Sequence, residues 1–443
     1  MTKHQIDPRQ FDDSDLSRHL LAARGTQWMR GNRGDPYALI LRDQGIEPRV
    51  LGILHQGMRG RPLLRQSESD VWVTASHEAG AAVLGDARLV PEVPAGAGRG
   101  RRQRIFGIDS RTSLKHVLAV DDPLLAMDRA GFERLGALTA PVLGAAPMAD
   151  RHDAAAGAFA EALGRAGGSA FDLMTDVART ASVSFFAELL KLPEDLRAVF
   201  EESVAVTAAV PDALLCPPTL SMARRLVASY DTLRGMLEEL IAARAAAPDD
   251  DLVSALLGAT SGGGAPAEDT LATLMLTLGL GVGMASNLVC AAVCALLEHP
   301  DQWTLLHENP SLAADAVEET LRFAPPVRLV SRIASTDVEI VGQPVERGHQ
   351  LVVLVDAANR DPEVYDEPER FRITGRSAAA APLSLDDASY AGFVGGPVRL
   401  LTRAALEVLV SGPYRGLRPD GEPVHRMRAP VTHGVARFPV AVS

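Results

Sequence analysis

The chain has 443 residues, of which 47% are apolar and 23% are charged, the balance of a soluble globular protein with a large core. Its 44 basic and 56 acidic residues give a formal net charge of −12, which argues against nucleic acid as a partner. Three cysteines are too few for a disulfide framework, so we expect a reducing, cytoplasmic environment.

The first segment, residues 1–34, is predicted to be an N-terminal appendage. Its start is polar and lacks the apolar stretch of a signal peptide. A helix is expected near Asp15–Arg30. Asp13 or Ser14 is expected to cap it, because short polar side chains accept hydrogen bonds from the first turn of a helix.

A strand, a short helix and then a basic passage follow the appendage. Val71–Val73 is typical of a strand and His77–Gly85 of a helix. The passage Pro91–Lys115 is rich in proline, glycine and arginine and has too little periodic apolar content for a packed element. It could contact a phosphate or a partner, or it could be a solvated surface loop, which its composition favours.

The middle of the chain is predicted to be helical. Apolar residues recur at three- and four-residue spacing over Ala154–Leu163, Phe171–Leu190 and Leu220–Ala246. After a glycine-rich connector, Gly258–Ala267, the stretch Thr270–Leu297 has no charged residue and is long enough to cross a bilayer. Its flanks are acidic and carry neither lysine nor arginine, so we interpret it as a buried core helix and expect no membrane association.

After Pro325 the sequence pattern changes from mainly helical to one that includes strands. Asp337–Gly342 and Leu351–Val355 are predicted strands, and Arg399–Val410 is a last apolar helix. Because strands and helices do not alternate, a large parallel sheet is not expected. The predicted fold class is mainly α with a small β-sheet.

A search for motifs of nucleotide, metal or nucleophilic chemistry finds only weak matches. The glycine-rich run Gly279–Gly283 lies inside the apolar helix and does not follow a strand, unlike a dinucleotide-binding loop. Cys290 and Cys294 are one helical turn apart in an apolar stripe, which favours core packing. His77 has no second histidine four residues later, as a zinc-protease motif requires. We therefore assign no catalytic residue and no metal site.

One ordered series of residues is specific. It begins with Glu319 and Arg322, which can pair three residues apart on one helix face. It then runs through Phe323-Ala324-Pro325-Pro326-Val327, Arg332, Ala357-Ala358-Asn359-Arg360-Asp361-Pro362 and Asp366-Glu367-Pro368-Glu369-Arg370-Phe371. This series resembles the C-terminal half of bacterial cytochromes P450, and the resemblance extends from about residue 35 to 412. It implies one mostly helical domain, 35–443, in which Glu319, Arg322 and Arg370 form a buried structural triad.

The residues that a cytochrome P450 uses to hold haem are missing. A cysteine thiolate binds the iron in this family, from a loop just before the last long helix. Phe393, Gly395 and Gly396 match neighbouring positions of that loop, but the sequence has no cysteine beyond Cys294 and the loop has no histidine. A replacement ligand from this loop is therefore not expected.

The oxygen-activating helix is also altered. The acidic and alcoholic residues of the family fall on Gly283 and Met284, which cannot relay protons. Arg332 matches an arginine that contacts a haem propionate in the family. Alternatively, Arg332 has only a structural role, with its side chain bound within the sheet. We predict a cytochrome P450-like fold that lacks haem, needs no cofactor and keeps Arg332 as a vestigial haem-side residue.

These losses resemble a haem-free subgroup, the helper proteins of antibiotic glycosyltransferases. The resemblance implies an auxiliary protein, not an enzyme. Such a helper binds a dTDP-deoxysugar glycosyltransferase of macrolide or anthracycline biosynthesis and activates or stabilises it. Two alternatives stay open: an atypical cytochrome P450-type oxidoreductase, and a small-molecule-binding protein that uses the vacated haem pocket.

Overall fold

The computed structural model describes residues 12–42, 62–67, 71–90, 104–105, 108–109, 129–259, 267–375, 380–385, 393–432 and 434–442. Of the predicted basic passage it places only Arg104–Ile105 and Ile108–Asp109, which pair as antiparallel strands. The two interpretations of that passage, and most of the predicted connector Gly258–Ala267, therefore concern residues outside the described ones.

Helices make up most of the described chain. In chain order they are α1 Asp13–Asn32, α2 Pro36–Arg42, α3 His77–Gly85, α4 Arg129–Leu143, α5 Ala145–Ala149, α6 His152–Ala166, α7 Arg179–Leu189, α8 Glu194–Thr207, α9 Val210–Leu215, α10 Leu220–Ala246, α11 Leu252–Gly258, α12 Ala267–Glu298, α13 Pro300–Glu308, α14 Ala313–Phe323, α15 Val355–Ala358 and α16 Gly395–Ser411. A π-helical turn, Leu173–Ala178, leads directly into α7, and a 3₁₀ turn, Pro310–Leu312, leads into α14.

The strands are short. They are β1 Arg65–Gln66, β2 Val71–Thr74, β3 Leu89–Val90, β4 Arg104–Ile105, β5 Ile108–Asp109, β6 Ala170–Asp172, β7 Leu329–Ala334, β8 Val338–Ile340, β9 Gln343–Val345, β10 Gln350–Leu354, β11 Leu417–Pro419, β12 Val424–His425, β13 Val435–Arg437 and β14 Pro439–Val442. The main sheet has the order β1-β2-β10-β7-β3, and its one parallel pair is β2 with β10. A second sheet joins β11, β14 and β6. Many helices with small sheets confirm the predicted fold class.

The long apolar helix α12 is the centre of the core. It packs against α7, α8, α10, α14 and α16. Among the described residues it alone is long and apolar enough to cross a membrane, and 72% of its most apolar window is buried inside the protein. The interpretation of Thr270–Leu297 as a core helix is confirmed, because its apolar side chains are covered on all sides by other helices.

Most predicted elements are found close to their predicted limits, and two differ. Phe171 belongs to β6 and not to a helix, because its strand pairs with β14 near the C-terminus. The last helix begins at Gly395, four residues before the predicted Arg399. The N-cap of α1 is Asp12 and not the predicted Asp13 or Ser14, because the helix begins at Asp13 and the Asp12 side chain accepts from the Asp15 N–H at 2.8 Å.

Candidate functional site

Glu319 and Arg322 form the predicted ion pair on α14. Arg322 Nε lies 2.9 Å from Glu319 Oε2, and its Nη2 lies 2.7 Å from Oε1, so the contact is bidentate. Both side chains are buried. Such a pair is stable in the interior only when its remaining polar groups also find partners.

Main-chain groups complete the hydrogen bonds of this pair. Arg322 donates to the carbonyl oxygens of Asn359, Pro368 and Arg370 at 3.3, 2.8 and 2.8 Å. The Arg372 N–H donates to Glu319 Oε1 at 2.9 Å. The pair thereby ties α14 to the segment after α15, a structural role that needs no substrate.

The side chain of Arg370 is not the third member of a buried triad in this structure, which corrects the prediction. It is 52% exposed, and its guanidinium lies 3.7 Å from the Glu367 carboxylate. Only its carbonyl oxygen joins the cluster. The physical reason is that Arg322 and the Arg372 N–H already donate hydrogen bonds to both carboxylate oxygens of Glu319. A surface carboxylate can then attract Arg370 without the cost of burying a third charge.

A half-open cleft of about 630 Å³ lies over this pair. Glu319 and Arg322 line it together with Tyr365, Arg370 and Arg372. Its charges are of both signs and are largely paired with one another, since Arg372 also contacts Glu367. The cleft therefore presents no group of one sign that would select a charged ligand.

Arg332 is buried in β7, opposite Leu351 of β10. Its Nη1 donates to the carbonyl oxygen of Ser331 at 2.9 Å. This hydrogen bond holds part of the guanidinium within its own strand. A vestigial haem-side role for Arg332 stays a prediction.

The altered helix α12 faces the start of α16 directly. A Cβ atom built on Gly281 would lie 2.9 Å from the ring of Phe186 and 3.5 Å from Val394 Cγ1. Two residues further, a Cβ on Gly283 would lie 2.7 Å from the Cβ of Ala208. Glycine is required at both positions because neighbouring side chains occupy the space that a larger residue would need.

The residues present do not fit haem at this place. A flat macrocycle between α12 and α16 would need about 7 Å, van der Waals contact on each of its two faces. Val394 is fully buried, and its Cγ1 lies only 3.5 Å from the point that a Cβ on Gly281 would occupy. On its other side, the start of α16 is equally close-packed, since a Cβ on Gly396 would lie 2.1 Å from the carbonyl oxygen of Leu143.

The three thiols also do not suit an iron ligand. Burial raises the pKa of Cys216 to about 11 and that of Cys294 to about 12, and it raises the pKa of Cys290 as well. A thiol with a raised pKa is protonated at neutral pH, whereas a metal binds the thiolate. Cys290 lies nine residues beyond Gly281 on α12, about 13 Å along the helix. Within the described ranges, no group of three or more His, Cys, Asp or Glu side chains could hold a metal ion.

A threonine stripe on α12 was missed in the sequence. Thr270, Thr273 and Thr277 are fully buried, and their hydroxyl groups have no hydrogen-bond partner. Their spacing places them on the same face of α12 as Gly281. The signal was visible, since three hydroxyl residues recur at helical spacing in a stretch that is otherwise apolar.

The comparison with family models decides the family. The model described as Cytochrome P450 matches residues 168–397, just over half of the chain. The fold and the ordered series from Glu319 to Phe371 agree with that match. This chain belongs to the cytochrome P450 family.

Within the cytochromes P450, this member is similar to two proteins over nearly its whole length. Protein AknT of Streptomyces galilaeus is 39% identical, covering 98% of this chain and 97% of AknT. Protein DesVIII of Streptomyces venezuelae is 34% identical, covering 98% and 96%. A relative whose name states a reaction, the erythromycin C-12 hydroxylase of Saccharopolyspora erythraea, is 31% identical over 55% of this chain and 61% of its own.

Solved structures show the same fold. The ligand-free structure of CYP164A2 from Mycobacterium smegmatis has a TM-score of 0.75 to this cytochrome P450 relative. It is 25% identical, and the superposition covers 92% of this chain and 99% of that one. The chain is thus arranged as a cytochrome P450 over the part that the superposition covers.

Proposed function

We propose that this cytochrome P450 relative is a helper protein without catalytic activity. It binds a dTDP-deoxysugar glycosyltransferase in the cytoplasm and activates or stabilises it, in the biosynthesis of a macrolide or anthracycline antibiotic. The observation that carries the proposal is the close packing at Gly281, where a cytochrome P450 enzyme needs space for haem: a Cβ atom built there would lie 2.9 Å from the Phe186 ring and 3.5 Å from Val394 Cγ1. The absent cysteine supports it independently.

The relatives add support of a different kind. AknT and DesVIII, which match nearly the whole chain, have names that state no reaction, whereas the hydroxylase matches about half of it. The subgroup that the sequence resembles consists of such helpers. A chain that keeps the fold but fills the cofactor space is suited to binding a partner through a rigid surface, a role that requires no catalysis.

The helper would act through the conformational equilibrium of its partner. A protein that binds the folded, active form of a glycosyltransferase more tightly than other forms raises the population of that form. It also raises the free energy of unfolding of the partner by mass action. Both effects require a stable complex and neither requires a cofactor.

The test uses the full chain and the glycosyltransferase encoded beside it. We expect the purified chain to show no Soret band and no stoichiometric iron. We also expect it to co-elute with the transferase on gel filtration and to raise the initial rate of sugar transfer. Bovine serum albumin at the same concentration is the control for non-specific stabilisation. A Soret band with stoichiometric iron, or a transferase equally soluble and active without the chain, would overturn the proposal.

A second candidate is a small-molecule-binding protein, and the threonine stripe favours it. Three buried hydroxyls without partners each cost free energy that a ligand with polar groups could recover. Binding of an aglycone is tested by the shift in melting temperature of the wild type and of a Thr273→Val, Thr277→Val variant. A ligand-induced shift that the variant loses would support this candidate. No shift with either protein would contradict it.

A further inference from the structure

The N-terminal helix α1 is firmly attached to the protein along one face. Leu16 and Leu20 are buried in a separate apolar cluster with Val206, Ala223 and Leu226, which come from α8 and α10. This face carries the buried positions of the helix and is fully used by internal packing.

Polar contacts fix the position of α1 at both ends. Near its start, Asp13 forms an ion pair with Arg224 of α10 at 2.6 Å. Near its end, Gln27 Nε2 donates to the carbonyl oxygen of Leu215 in α9 at 2.9 Å. A helix held at two ends presents its outer face in a fixed orientation, which lowers the entropy lost when a partner binds that face.

The outer face of α1 exposes large apolar side chains. Leu21, Trp28 and Met29 are 56%, 57% and 41% exposed, and they are three of the six large apolar side chains found exposed among the described residues. Leu21, Gly25 and Trp28 lie on one side of the helix because they are four and three residues apart. A Cβ on Gly25 would meet nothing within 4 Å, so the backbone between the two large side chains is open to close approach. We call Leu21, Gly25, Trp28 and Met29 the α1 ridge.

The charge around the ridge is opposite to that of the whole chain. Residues 21–34 contain three arginines, Arg24, Arg30 and Arg33, and no acidic residue, in a protein with a net charge of −12. Arg18, one turn earlier, is paired with Asp15 of the same helix. The positive charge extends beyond the helix, because Arg428 lies close enough to Arg24 to lower its pKa in addition to the effect of burial. An apolar strip bordered by arginines is complementary to an apolar groove bordered by carboxylates.

The composition of the ridge is that of a protein-binding surface. Tryptophan and arginine are enriched among residues that dominate binding energy. α1 lies outside residues 168–397, the part matched by the cytochrome P450 model. Yet the AknT match leaves only about nine of 443 residues uncovered, so it includes most of this 20-residue helix.

We infer that the α1 ridge is the docking surface of this protein for the glycosyltransferase, through an apolar, acid-bordered groove on that partner. This inference rests on the proposed function, because it names the surface by which the helper holds its partner. Trp28 is the central anchor, Leu21 and Met29 extend the apolar contact, and Arg33, directly after α1, helps to orient it.

The experiment measures the dissociation constant of the complex by isothermal titration calorimetry with purified full-length proteins. The test variants are Trp28→Ser with Leu21→Ser, and separately Arg33→Glu. The control is Val199→Ser, which removes an exposed apolar side chain of α8 that is not part of the ridge. Circular dichroism and the melting temperature establish that each variant is folded, which we expect because the substituted side chains are exposed.

We expect the serine variant to weaken binding about tenfold or more. The Arg33→Glu variant should weaken it less, and more at low than at high salt. Val199→Ser should leave binding unchanged. If the wild type binds the glycosyltransferase and the folded serine variant binds it equally well, this inference alone is overturned. If the wild type does not bind the glycosyltransferase, the proposed function is overturned and this inference with it. A further outcome is that the wild type co-sediments with phosphatidylglycerol vesicles, the serine variant does not, and both bind the transferase equally well. This outcome would assign the ridge to a membrane surface and would also overturn the inference.

Discussion

At the scale of single residues, the clearest feature is the buried Glu319–Arg322 pair. Its geometry is bidentate, and main-chain groups from three other positions satisfy Arg322. Replacing one member of a buried pair leaves an uncompensated charge, which costs far more than the pair itself contributes.

Replacing Glu319 therefore has a large expected effect on stability. Glu319→Gln should lower the free energy of unfolding by about 3 kcal/mol or more, because Arg322 stays buried without a counter-ion. Arg370→Ala should change it by only about 0.5 kcal/mol, because that side chain is half exposed. Urea unfolding followed by circular dichroism measures both. An equally large loss in Arg370→Ala would show that its guanidinium belongs to the buried cluster after all.

The cysteines give a second prediction at this scale. Burial raises the pKa of Cys216 to about 11 and that of Cys294 to about 12, so almost no thiolate is present at neutral pH. We expect iodoacetamide to modify the native protein very slowly and the urea-unfolded protein quickly. Rapid modification of one native cysteine would reveal an accessible thiolate and contradict this expectation.

At the scale of elements, Asp212 fastens α9 to the C-terminal part of the chain. Its carboxylate accepts from the N–H groups of Val431 and Thr432 at 2.8 and 3.0 Å and from the Thr432 hydroxyl at 2.6 Å. Asp212→Ala leaves these donors buried without an acceptor and should cost about 2 kcal/mol or more of unfolding free energy. Asp212→Asn keeps an acceptor oxygen and should cost less. Equal losses in the two variants would mean that the hydrogen bonds are not responsible.

The same carboxylate predicts a dependence on pH. Burial raises the pKa of Asp212 above its usual value near 4. A raised pKa means that the folded protein holds the proton more tightly than the unfolded chain does. The contribution of Asp212 to stability is therefore complete below its ordinary pKa and is lost as pH rises through the raised value. The difference in unfolding free energy between wild type and Asp212→Asn should fall as pH rises through this interval, and a constant difference would contradict the prediction.

At the scale of the whole molecule, the close contact between α12 and α16 predicts that a thiolate alone does not restore haem binding. Phe393→Cys and Val394→Cys each supply a cysteine at the start of α16. We expect neither variant to acquire a Soret band when produced with excess haem precursor, because the ring of Phe186, which neither substitution removes, occupies the space at Gly281. A haem-binding cytochrome P450 produced in parallel is the control. Stoichiometric haem in either variant would show that the space can open.

Features that depend on local spacing could be predicted from the amino-acid sequence. Leu220–Ala246 was predicted with its observed limits, the uncharged stretch around Thr270–Leu297 is the core helix, and Glu319 pairs with Arg322 one turn away. The family was also visible in the order of short motifs. These features could be predicted because helical periodicity and pairs three or four residues apart are properties of adjacent residues.

Features that depend on residues far apart in the chain became visible only in the folded structure. Phe171 is in a strand because it pairs with Val440. The Arg370 side chain faces solvent because Arg322 and the Arg372 N–H already donate hydrogen bonds to the Glu319 carboxylate. The approach of Val394 to Gly281 is likewise long-range, and so is the packing of Leu16 and Leu20 that leaves Trp28 exposed. Propensity and spacing carry no information on such contacts, because their free energy comes from packing and desolvation in the assembled core.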